Sequence, residues 1–261
     1  MDTNPFRRAI RVYRNEGLLT LAVRTWKFWW HSLYPYLAFT VLNTIRPKVH
    51  TLRYSAPSKP YQVIWIDPSQ IGLYKQEMTY KKGLARVKSG NWDRHTKSLE
   101  KHRTHRGLKQ RFEEDLDWQE TDYIPKDKEL RAKWDDTEEF ISKKCQYIDS
   151  LHDEIKKEGY SPNFSGNTNT PPREKVPTRD LEPMVFIDRN GEFILHEGFH
   201  RITIAQILDV EQIPVYVIAR HIEWQQIRDE IATTNSLGSL SERAKSHLDH
   251  PDFNDIEKPM S

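Results

Sequence analysis

From residue 184 to 224 the sequence reads strand, tight turn, strand, helix, strand and the start of another helix, an order that a mixed α/β layer fold accommodates in so short a span. Met184-Val185-Phe186-Ile187 is an apolar run of strand length. Asp188-Arg189-Asn190-Gly191 follows, and an Asn-Gly pair suits a tight hairpin because it accepts the positive φ such turns need. Residues 192–195 predict the return strand, and 202–208 a short helix with its apolar side chains toward the core. Residues 213–219, Ile-Pro-Val-Tyr-Val-Ile-Ala, predict the next strand, and Arg220-His221-Ile222-Glu223-Trp224 opens a final helix. The expected fold class is α/β, of mixed α+β type.

The chemistry concentrates where the second strand meets the helix, at Glu197-Gly198-Phe199-His200-Arg201. A strand that runs through a glycine into a helix leaves first-turn amide groups facing the loop, and such a helix start is a general anion site. Gly198 would let a phosphate approach the main chain, while His200 and Arg201 would add directed donors and charge. Glu197 would repel a bare anion, so its place there suits a metal ion or a transferred proton. The same residues also fit a purely structural turn with a salt-bridged helix start.

The stretch HEGFHRITIAQILDVEQIPVYVIARH resembles the signature region of the ParB/sulfiredoxin superfamily, in which an acidic-Gly-x-(His/Arg)-Arg motif precedes a helix and an Ile-Pro-Val strand. YQVIWIDPSQI, from Tyr61 onward, looks like that family's first strand and helix entry. The resemblance covers about 61–72 and 184–225. It implies a ParB/sulfiredoxin-like domain over 61–232, with a helical insertion at 92–160 and a polar loop at 161–180. It also implies a glycine loop that holds nucleotide phosphates.

Sulfiredoxins carry their essential cysteine just before the His-Arg pair, where this chain has Phe199, so sulfinic-acid repair is not expected. Partition clamps carry Glu-Arg-Arg after the glycine and a following helix-turn-helix domain. Here the residues are Phe199-His200-Arg201, and the tail at 233–261 is expected to be too short for such a domain. The resemblance then implies a nucleotide-binding phosphotransferase that moves a phosphoryl group to a hydroxyl acceptor. In that picture ATP, ADP or CTP with Mg²⁺ is bound by Gly198, Phe199, His200, Arg201 and Thr203. Arg220 and His221 either close the pocket or form a satisfied pair at a strand end. Glu197 is the metal-holding carboxylate, and Glu197, His200, Asp67 and Glu77 are the candidate catalytic groups, placing Mg²⁺ or deprotonating the acceptor. A non-catalytic nucleotide-responsive interaction protein and a metal-dependent nuclease are the alternatives.

The aromatic residues crowd near the start. Trp26, Phe28, Trp29, Trp30, Tyr34, Tyr36 and Phe39 fall within 18–45, where Arg24 and Lys27 interrupt them. Those cations and Pro35 spoil the stretch as a membrane span, and only about ten residues follow Pro35, too few for a hydrocarbon layer roughly 30 Å thick. The spacing predicts an amphipathic helix over 6–33 and a short one over 36–45. Arg24, Trp26, Lys27, Trp29 and Trp30 are expected to contact either a membrane surface or a protein partner, since tryptophan and arginine both favour a polar–apolar boundary. On the first reading the protein is peripheral at the inner face of the cell membrane and its acceptor is lipid-linked. On the second, 6–45 packs on the main domain or builds a homo-oligomer.

Residues 46–60 hold three prolines, Pro47, Pro57 and Pro60, and read as a linker before a first strand at 61–66. The span 94–111 is the strongest basic cluster, with Lys97, Lys101 and His105 on one face if it is helical; that face either contacts phosphate or is simply solvated. A long helix is expected over 136–157 with Cys145 on its apolar stripe, a buried small hydrophobe rather than a nucleophile. The tail is expected to be loosely held from Pro251. Forty Lys and Arg against 38 Asp and Glu leave a net charge of +2, so overall electrostatics makes no case for a nucleic-acid partner. A single cysteine excludes an internal disulfide framework and any cysteine-built metal site, and with no apolar leader a cytoplasmic location is expected.

Overall fold

The computed structural model describes residues 5–28, 34–78, 82–126, 138–162 and 182–259. Among them, two N-terminal helices, α1 (Pro5–Phe28) and α2 (Tyr34–Arg53), precede the strands β1 (Val63–Ile66), β2 (Leu73–Tyr74), β3 (Arg86–Lys88) and β4 (Lys97–Ser98). Helices α3 (Arg103–Phe112) and α4 (Glu138–Glu158) follow. Then come β5 (Met184–Ile187), β6 (Phe193–Glu197), α5 (Phe199–Ile207), β7 (Ile213–His221), α6 (Ile222–Thr233) and α7 (Glu242–Lys245). The class is mixed α/β.

The strands form one mixed sheet in the order β1-β7-β5-β6-β2-β4, with β3 on the same edge of β7 as β1. Every residue of β7 is buried, as a central strand covered on both faces requires, and its unbroken apolar run meets that need. The β5–β6 hairpin turns where Asn-Gly predicted. Asp188 Oδ1 accepts from the amides of Asn190 at 2.7 Å and Glu192 at 2.8 Å, and Gly191 takes φ 91°. On one face α5 and α6 cover Ile66, Val185, Ile187 and Leu195 with Ile202, Ala205, Trp224 and Ile231. Each fully buried valine, leucine or isoleucine side chain contributes about 1.5–3 kcal/mol. The second face carries Met184, Phe186, Ile194 and Ile218 beneath Leu84. A third cluster joins α3 and α4 to α5 through Leu108, Ile148 and Ile204.

Several expectations are corrected. The first half of the presumed linker is helix: α2 runs on through Pro47 to Arg53. Tertiary bonds outweigh the proline, for Asn43 Oδ1 accepts from Leu84 N at 2.8 Å and Arg46 donates to the carbonyls of Leu84 and Lys82. α1 is broken at Gly17, where φ is 81° and ψ 171°, and is not one continuous amphipathic helix. In the basic cluster, Lys97 lies in a strand, Lys101 in a 3₁₀ turn and His105 in α3, so they share no helix face. Leu99 decides this: it is buried, and its amide bonds Gly72 O at 2.8 Å, which pulls the chain against β2.

The tail is not loose at Pro251. Asp252 and Phe253 are buried, and the Asp252 carboxylate accepts from Arg220 Nε at 2.8 Å, Trp224 Nε1 at 2.9 Å and Arg228 at 3.2 Å. α4 matches its expected stripe, with Cys145, Ile148, His152 and Ile155 inward. Burial pushes the Cys145 thiol up to about 11, which suits a packing residue rather than a nucleophile. Trp29 and Trp30 lie outside the described residues, as do 163–181 of the polar loop.

Candidate functional site

The β6–α5 junction is the point to which the sequence assigned chemistry. β6 ends on Glu197, and Gly198 follows as N-cap of α5 in the left-handed region, φ 92° and ψ 25°. That backbone turn lets a strand enter a helix without a loop. A side chain at 198 would also collide with Pro183, whose Cβ lies 2.7 Å from an ideal Cβ position. The glycine is therefore fixed by conformation and by packing together.

Each residue after the glycine has a partner. Phe199 turns inward, stacks on His102 with ring centroids 3.9 Å apart, and meets Tyr74 edge-on at 5.7 Å. Burial, with a smaller contribution from Arg103, pushes the His102 imidazole down to about 4, so it is a neutral stacking surface at neutral pH. His200 Nε2 lies 2.9 Å from the Tyr123 hydroxyl. Tyr123 is seated by Arg103, which donates to its carbonyl at 2.7 Å, and by Gly107, where any Cβ would strike the Tyr123 backbone. Lys144 of α4 lies 5.3 Å over the Tyr123 ring. Arg201 donates to Glu182 at 3.2 Å and to the Tyr160 hydroxyl at 3.5 Å. Thr203 Oγ1 is fully buried, 3.2 Å from His105 Nδ1, and so packs α5 on α3 rather than facing a ligand.

The structure brings Glu197, Gly198, His200 and Arg201 together with Tyr123 and Glu182, two residues that sequence reasoning did not assign to the site. Asp67 is elsewhere. It caps a 3₁₀ turn by accepting from Ser69 N at 2.8 Å, and that turn is held by Gln206 at the far end of α5, roughly 12 Å of helix from Gly198. Arg220 and His221 do not close the pocket either. Met184 sets the junction level, pairing with both Glu197 and Tyr216, and Arg220 lies roughly 13 Å further along β7. Arg220 is committed to Asp252, and His221 contacts Gly90 O at 2.8 Å while capping α6. Glu77 bonds Lys75 at 2.7 Å and faces a basic cavity rather than the junction.

Among the described residues no three His, Cys, Asp or Glu form a metal-binding group. Exposed Glu197 alone fits only a magnesium ion that arrives with a nucleotide's own phosphates, the way Mg²⁺ is commonly held. No family model matches the sequence, and no curated protein or solved structure is significantly similar to it.

Proposed function

We propose that this chain is a nucleotide-binding phosphotransferase of the ParB/sulfiredoxin type, with the terminal phosphates of ATP, ADP or CTP seated at the β6–α5 junction. One observation carries the reading. A left-handed Gly198 turns β6 directly into α5, so that the helix start, the His200–Tyr123 pair and exposed Glu197 occupy one spot. His200 and Tyr123 supply directed hydrogen-bonding groups, and His200 can take the acceptor hydroxyl's proton. Arg201 contributes less charge than its sequence position suggested, because buried Glu182 answers it. Glu197 would share the Mg²⁺ that neutralises phosphate charge during transfer.

A second reading has support in that same ion pair. With Arg201 bound to Glu182 and Thr203 bound to His105, the junction could sense a nucleotide without turning it over. Phosphate release from Mg²⁺-nucleotide by purified protein, alone and with hydroxyl acceptors, separates the two. Transfer should fall sharply in Glu197→Gln while nucleotide binding persists. Turnover undiminished in that variant would remove Glu197 from the chemistry, and no turnover with intact binding would favour the sensor.

The partner assigned to the N-terminal helices is an anionic membrane surface. Among the described residues no helix is long and apolar enough to cross a membrane. Leu18, Leu19, Val23 and Trp26 of α1 are exposed beside Arg14, Arg24 and Lys27, an apolar and cationic mixture suited to a headgroup layer. Sedimentation with anionic vesicles, reduced by Trp26→Ala and Leu19→Ser together, tests this. Concentration-dependent dimerisation with no vesicle binding would assign the face to a second copy.

A further inference from the structure

α2 carries its polar side inward and its apolar side outward, the reverse of a helix that completes a water-soluble core. Asn43 and His50 are buried. Asn43 Oδ1 accepts from Leu84 N at 2.8 Å while its Nδ2 donates to the Tyr61 hydroxyl at 3.2 Å, and Arg46 donates to the carbonyls of Leu84 and Lys82. These bonds fix the rotation of α2 against the second face of the sheet, where Leu84 packs with Phe186 and Ile218. The opposite side of the helix presents Val41, Ile45, Val49 and Leu52, whose spacing of four, four and three residues confines them to an arc of about 80°. Val41, Ile45 and Val49 are each more than half exposed, and Leu52 is 90% exposed. The stripe runs along roughly 17 Å of helix. A continuous row of this kind differs from the hydrophobes scattered singly over an ordinary surface.

Charge decides what covers the stripe. From Gly17 to Ile66 the sequence contains no Asp or Glu, although the whole chain holds 38. Lys48 and Arg53 are exposed, and helical spacing sets one on each side of the stripe. The exposed Thr44 and Thr51 donate their hydroxyls to the carbonyls of Thr40 at 2.9 Å and Lys48 at 2.8 Å, so these polar atoms are satisfied within the helix. A second copy docked about a two-fold axis would set this acid-free face against itself, cations included. An anionic bilayer takes the apolar stripe into its acyl boundary while Lys48 and Arg53 reach the headgroup phosphates.

We infer that the face formed by Val41, Ile45, Val49 and Leu52 embeds in the headgroup–acyl boundary of an anionic membrane. Because α2 is bonded to the body through Asn43 and Arg46, this contact holds the sheet in one orientation to the membrane. The inference rests on the membrane reading of the N-terminal helices and goes further, since it names a second contact helix and a fixed docking face.

The test uses the full chain with an environment-sensitive fluorophore on Leu52→Cys. The native Cys145 is buried and Leu52 is exposed, so the label enters without disturbing a packed site. The control label is on Glu242→Cys in α7, whose Ala244 packs in the core of the opposite face of the sheet. With phosphatidylcholine vesicles containing phosphatidylglycerol, the label at 52 should brighten and shift to the blue, and the label at 242 should stay aqueous. Val49→Ser with Leu52→Ser should lower the affinity for these vesicles about tenfold at an unchanged melting temperature. Sedimentation with an aqueous label at 52, or undiminished in the double variant, overturns the inference and leaves attachment to α1. Equal binding to phosphatidylcholine alone contradicts the anionic surface. No sedimentation with anionic vesicles removes the membrane reading and the inference with it. A shift at 52 that follows protein concentration without lipid assigns the face to a second copy and also overturns the inference.

Discussion

The Tyr123 hydroxyl lies 2.9 Å from His200 Nε2, joining the segment between α3 and α4 to the first turn of α5. The segment that carries Tyr123 therefore borders the candidate site, because its hydroxyl contacts His200. Arg103 and Gly107 hold Tyr123 in place from α3.

Removing that bond should weaken nucleotide binding without unfolding the protein. Tyr123→Phe keeps the ring and deletes the hydroxyl, and a neutral hydrogen bond contributes about 0.5–1.5 kcal/mol. The expected loss of affinity is about two- to tenfold, with a melting temperature close to wild type. His200→Ala, which deletes the ring, should lose more. Equal affinity in all three proteins would place the nucleotide elsewhere.

Gly198→Ala should be destabilising out of proportion to its size. The new methyl enters at 2.7 Å from Pro183 Cβ on a backbone with φ 92°, so strain and overpacking combine. About 2–4 kcal/mol is expected from the two effects. Chemical denaturation measures it, and a loss below about 0.5 kcal/mol would mean that neither constraint operates. Bulky substitutions at 198 consequently make poor binding controls.

Stability should fall as pH drops through the range from 6.5 to about 4, in part because of His102. Its folded-state pKa is depressed by burial, so in that window the unfolded chain binds a proton that the folded chain refuses. His102→Phe preserves the stack on Phe199 and removes the titration, so its stability should depend less on pH there. An unchanged slope between pH 6.5 and 4 would contradict the neutral stacked imidazole.

Asp252→Ala should be among the most damaging single changes. Burial alone would raise its carboxyl, but Arg220 and Arg228 outweigh that and hold it below the usual carboxylate range. Deleting it leaves both buried guanidinium groups short of their shared partner, a loss of about 3–5 kcal/mol. A melting temperature near that of wild type would show that the tail anchors nothing.

The sequence announced the elements whose cause is local. The Met184–Ile187 strand, the Asn-Gly hairpin, β7 and α4 all follow from unbroken apolar runs, turn chemistry or a three-and-four spacing. It did not announce elements whose cause is distant. α2 passes through Pro47 because Arg46 and Asn43 reach the 82–84 segment, and no neighbouring residue reveals that. Lys97 and Ser98 form a strand through a two-residue pairing with β2, too short to show a period.

The site was half legible for the same reason. Gly198 and the helix start stood out, yet the contacts that constrain them come from Pro183, Tyr123 and Glu182, well outside the motif. Of the two readings left open for Arg220 the structure takes the satisfied one, and its partner Asp252 lies in a tail whose polar composition suggested looseness. The basic cavity beside Glu77 could not be read at all, since its lining comes from α2 and from the 77–88 segment, separate parts of the chain.

Calorimetric titration of the purified chain with ATP, ADP, CTP and GTP in turn, each with Mg²⁺, should be done first, with His200→Ala in parallel. The expected result is micromolar binding of at least one nucleotide, lost or strongly weakened in His200→Ala. Binding by none of them, or binding indifferent to His200, would mean that the β6–α5 junction is a structural turn and that the nucleotide reading of this protein is wrong.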